Sequence, residues 1–129
     1  MNKVIKLGMT TLLALLGIMF VFNGLNWYIN PAAAAEGLGM PLLQGGGLST
    51  QLGDMSSFFL VLGLFVLTGV VTKNRQWFYA PVALLALAAI GRTLAWAVHD
   101  ASLTVPLIIM ELVMATLLWF LSKPVCNEA

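Results

Sequence analysis

Charge is what this sequence has least of. Asp, Glu, Lys and Arg together make up 9% of its 129 residues, where a soluble domain carries roughly a quarter. A water-soluble globular fold is thereby excluded. The six Lys and Arg against five Asp and Glu leave a formal charge of +1, so no basic surface exists and nucleic acid is not a partner. Cys126 is the one cysteine, which rules out a disulfide framework and a Cys-based metal site. His99 is the one histidine, so no histidine cluster for zinc, haem or di-iron can be assembled, and a lone histidine at a span end reads first as an interfacial residue. There is no glycine-rich phosphate loop and no Ser-His-Asp spacing. The reading is therefore of a protein with no metal, no cofactor and no recognisable catalytic residue.

What fills the space is hydrocarbon. Hydrophobic residues make up 60% of the chain and the mean hydropathy is +0.97. At about 20 apolar residues per crossing, the length accommodates four membrane spans and short connections. Four runs answer to this, at about 4–29, 51–71, 77–98 and 104–121. The expected fold is all-α, a single four-span membrane domain. Lys3 and Lys6 followed by an apolar stretch and Ala32 to Ala35 also resemble a secretory signal. The apolar stretch nevertheless exceeds a signal core, and a polar segment at 26–31 separates it from those alanines. A retained span is the expectation.

Basic residues flanking spans stay on the cytoplasmic side. Lys3, Lys6, Lys73, Arg75 and Lys123 all fall on one side of a four-span arrangement, and Glu36, Asp54, His99 and Asp100 on the other. Both termini are expected in the cytoplasm of a bacterial inner-membrane protein. Trp27, Tyr28, Trp77, Tyr79, Trp96 and Trp119 lie near span ends, as interface anchors do. Short links should make spans two and three, and spans three and four, antiparallel neighbours. The outer connection at 30–50 holds two prolines and five glycines among apolar pieces, a composition for either a lid over the bundle mouth or a mobile linker.

Within the spans a charged side chain costs about 2.5 to 3.5 kcal/mol on insertion scales and needs a partner or a purpose. Arg92 lies about seven residues before the outer end of span three and Glu111 about seven after the outer start of span four, so both sit at about 10 Å depth. They are expected to pair across the hairpin, with Asp54 as a second partner for the guanidinium. Asn23, Asn26 and Asn30 share one face of span one, and Arg92, Trp96 and His99 repeat that spacing on span three. Together with Ser57 these describe a polar pocket opening outward above an apolar inner half. The bland alternative is interhelical glue, at about 0.6 to 2 kcal/mol per contact. Gly91 and Ala95 form a small-residue pair suited to close helix packing, Met9, Met19, Met110 and Met114 read as core filler, and Cys126 as a free cytoplasmic thiol.

Several stretches carry a family likeness: Gly53-Asp54 with Ser57-Phe58-Phe59-Leu60 and Gly63, then Gly91-Arg92-Thr93-Leu94, His99-Asp100 and Glu111-Leu112. On these, between about residues 54 and 121, the chain resembles small bacterial four-helix membrane proteins grouped as a domain of unknown function, more loosely the DoxX-like bundles. The resemblance implies a four-helix fold and places characteristic acidic, Arg and Glu positions on Asp54, Arg92 and Glu111. It implies no activity, and Asp100-Ala101 stands where an Asp-Gly turn belongs. Three functions follow as expectations. The first is a non-enzymatic binding or accessory subunit whose pocket holds a membrane lipid, a quinone-like or other hydrophobic small molecule, or which docks to a larger membrane complex. The second is a proton-coupled carrier acting as a homo-oligomer with Glu111 titrating, and the third an isomerase-type enzyme with Asp54 or Glu111 as acid or base.

Overall fold

A computed structural model describes residues 2–127. Five α-helices follow one another: α1 (Lys3–Ile29), α2 (Pro31–Gly37), α3 (Gly45–Thr72), α4 (Tyr79–His99) and α5 (Val105–Cys126), with a 3-10 turn at Arg75–Phe78 ahead of α4. The four long helices are each long and apolar enough to cross a membrane. The fold is an all-α four-helix bundle of a multi-pass membrane protein. Both described termini and the 73–78 link lie at one end, the terminal end; the 30–44 and 100–104 connections lie at the other, the loop end.

Local chemistry sets the boundaries. Asn2 caps α1 by accepting from the Val4 N–H at 2.7 Å. Asn30 ends α1 and begins α2, its side chain accepting from the Ala33 N–H at 3.4 Å, with Pro31 at the first helical position. There a missing N–H loses nothing. Lys73 (φ 52°) and Asp100 (φ 57°) terminate α3 and α4 in the left-handed region, which costs a residue with a Cβ roughly 1–2 kcal/mol.

One connection and one pairing differ from the sequence reading. The outer segment is not one long loop: it contains α2 and the first turns of α3, which starts at Gly45 instead of about 51. A run of three glycines extends the helix because only Gly45 needs positive φ (58°). The pairing differs too. α1 packs mainly on α3 and α4 on α5, whereas α3 and α4 touch only lightly despite their short link. Glycine explains the first pair: a Cβ at Gly63 would lie 2.6 Å from the Gly17 carbonyl oxygen and the Val21 nitrogen, so the backbones are in near contact. In the short link the ring of Phe78 lies on Gly69 and is buried between α3 and the start of α4, so the chain turns around a phenyl group there. Leu13, Phe20, Leu62, Val66, Leu85 and Leu118 form the dry centre.

Hydroxyls inside the spans find partners in their own helix. Thr10, Thr11, Ser57, Thr68, Thr72, Thr93 and Thr116 each donate to the carbonyl four residues earlier at 2.6–2.9 Å. A polar atom in hydrocarbon is tolerated on such terms.

Candidate functional site

Arg92 and Glu111 project from α4 and α5 two turns below the 100–104 link, and they meet. The Arg92 Nε donates to Glu111 Oε1 at 2.9 Å, with 27% and 11% of the two side chains exposed. Arg92 Nη1 makes a long contact to Thr104 Oγ at 3.5 Å. Thr104 lies seven residues before Glu111, on the same side of α5 by helical period, and that spacing was the signal available for it. A guanidinium carries five N–H donors. Nη2, which shares an edge with Nε, has no partner among the described residues, so the guanidinium keeps free donors beside Glu111.

Arg92 and Glu111 line a cleft of two adjoining lobes. One lobe, about 160 Å³, is lined by Arg92, Glu111, Met55, Phe58 and Leu85. The other, about 220 Å³, is lined by Asn23, Asn26, Trp27 and the Ala33–Ala34 face of α2. They meet at Phe20, Leu38, Phe59, Leu107, Met110 and Met114. Leu38, just after α2, lines both lobes. On α1 and α5, Met19 and Met110 line the cleft and are 38% and 54% exposed. The side-chain amides of Asn23 and Asn26 are half-buried and make no hydrogen bond among the described residues.

Other expected members lie elsewhere. Asp54 is exposed and forms no ion pair with Arg92; it borders a separate surface depression beside Met40, Gln51 and Met55. It stands one helical turn nearer the loop end than Phe58. Trp96 is 50% exposed and lines neither lobe; it stands on the face of Arg92 but one turn nearer the loop end. His99 is exposed in the last turn of α4. Asn30 serves as a cap. Among the described residues no three His, Cys, Asp or Glu side chains gather to hold a metal ion.

Compared with family models, curated proteins and solved structures, the chain finds no match. Its chemistry has to be taken from its own side chains. Three arrangements were not anticipated from the sequence. Gln51 is buried and holds the 40–43 segment: its Oε1 accepts from the Leu43 N–H at 3.0 Å and its Nε2 donates to the Pro41 carbonyl at 3.1 Å. Tyr28 and Ser56 share a hydrogen bond of 2.8 Å across the α1–α3 seam. At the terminal end Arg75 donates to Ser122 Oγ at 3.1 Å and to the Trp119 carbonyl at 2.9 Å, under the Trp119 ring at 4.4 Å. That end is thus less wholly apolar than its sequence suggests. In the last two the partners are 28 to 47 residues apart and only the tertiary packing joins them; Gln51 reaches back 8 and 10 residues across an irregular stretch.

Proposed function

We propose that this is a small integral protein of the bacterial inner membrane, with both termini cytoplasmic, whose periplasmic-side cleft holds a lipid-like or small amphiphilic molecule as a non-enzymatic binding or accessory subunit. The observation that carries the reading is the set of unpartnered polar groups on one apolar cleft: the Arg92 Nη2 and the amides of Asn23 and Asn26. Polar groups at membrane depth are expensive without partners. A molecule with a polar head and a hydrocarbon body supplies partners to both kinds of wall. The exposed Met19 and Met110 mark a side opening, so the molecule enters from the bilayer. The orientation rests on the five basic side chains at the terminal end. We infer kinship with the DoxX-like proteins from the motif stretches alone.

The test is recovery of the occupant. The full chain, extracted with its surrounding lipid into polymer discs, is released in native mass spectrometry alongside Met114→Trp, which fills the junction of the two lobes. A bound small amphiphile in the wild type that is lost in Met114→Trp supports the reading. An empty wild type, or equal retention by both, overturns it. Retention of a partner chain in place of a small molecule would instead favour the accessory role in a larger assembly.

A further inference from the structure

We infer that the cleft selects an uncharged, single-chain amphiphile whose head presents a carbonyl oxygen to Arg92, and that it discriminates against the corresponding carboxylate; this rests on the binding reading above. The argument is one of charge count. Of the residues lining the two lobes, Arg92 and Glu111 alone are charged, and they are joined at 2.9 Å. The site is therefore electrically closed before anything enters. A carboxylate on the free guanidinium donors would be a second anion shared by one cation, set close to Glu111 in a low-dielectric wall, where like charges repel strongly and a net charge is poorly tolerated. A neutral carbonyl has neither difficulty. It accepts from Nη2, or from Nη1 in place of the long contact to Thr104, and leaves the ion pair intact.

Size and the second lobe narrow the class further. Lobes of about 160 and 220 Å³ have room for a head group and part of one chain, and the remainder leaves between Met19 and Met110. Two acyl chains and a phosphate exceed that space. The amides of Asn23 and Asn26 both donate and accept, which suits a hydroxyl or second carbonyl on the same molecule. A monoacyl ester and a quinone with an isoprenoid tail share this chemistry.

The experiment reads Trp27, which is buried and lines the second lobe. A variant with Trp77, Trp96 and Trp119 changed to Phe leaves it as the sole indole. In phosphatidylcholine discs at about pH 9, where a carboxylic acid is ionised, quenching is titrated with methyl 9,10-dibromostearate, with 9,10-dibromostearic acid and with decylubiquinone. The expected result is half-quenching by the ester or the quinone at a mole fraction at least about tenfold lower than by the acid; which of the two is tighter separates the sources. In Glu111→Gln the lining gains a net positive charge and the acid should become the preferred probe. Arg92→Lys keeps the charge count, so ester preference should persist at reduced affinity even if Glu111→Gln does not fold. Equal or tighter binding of the acid by the wild-type lining overturns the inference while leaving the binding reading standing. Failure of all three probes to quench Trp27 overturns both.

Discussion

Gly63 and Gly53 lie ten residues apart on one helix and have opposite consequences. At Gly63 any Cβ meets α1 backbone at 2.6 Å, whereas at Gly53 and at Gly91 there is nothing within 4 Å. Gly63→Ala should therefore destabilise the bundle by about 1–3 kcal/mol, the usual range for overpacking, seen as a lower melting temperature in detergent. Gly53→Ala and Gly91→Ala should be neutral or stabilise by about 0.5–1 kcal/mol through helix propensity. The ion pair is a second single-residue test. Glu111→Ala strands a half-buried guanidinium, and a loss of about 1–3 kcal/mol, below the figure of about 3–5 for fully buried pairs, is expected; the swap of Arg92→Glu with Glu111→Arg should recover part of the expression lost in either single change. The Arg92–Glu111 contact was legible in the sequence because depth in a hairpin follows from counting residues. The absence of Asp54 and Trp96 from it was not, since counting gives depth along a hairpin but not how the neighbouring helices close around the pair.

Among the elements, the 41–43 stretch between α2 and α3 is tied down by one side chain. Gln51 reaches back from α3 to satisfy Leu43 and Pro41, between Gly39 and Gly45, both at positive φ. Gln51→Leu keeps the volume and removes both hydrogen bonds, so amide hydrogens in 38–44 should exchange about tenfold faster or more, while those of α3 below Ser56 stay protected. Unchanged exchange would show that apolar contacts alone hold the segment. Composition pointed to a lid or a linker with equal force; what sequence alone did not reveal was the helix inside it. Pro31 and the four alanines permit one, but so short a helix depends on Ala35 being buried against the bundle, a tertiary fact.

Across the whole molecule the helices are arranged as two tight pairs, α1 with α3 and α4 with α5, more loosely joined to each other. The number of spans was readable from hydropathy, because the bilayer imposes a length on every crossing. The pairing was not, because it depends on glycines in α1 and α3 that are remote in sequence and meet only when the helices do. Orientation has its own measurement: a cysteine placed at Gln44 or Ser102, in a Cys126→Ser background, should react with an impermeant maleimide in intact spheroplasts, and one at Asn2 should react only after the membrane is opened. The opposite pattern would reverse the proposed topology.

The side opening proposed at Met19 and Met110 has a kinetic corollary. A molecule arriving through it never passes through water, so its supply is set by its abundance in one leaflet and by two-dimensional diffusion. Occupancy would then track the make-up of the surrounding lipid, and dilution of the aqueous phase would leave it unchanged.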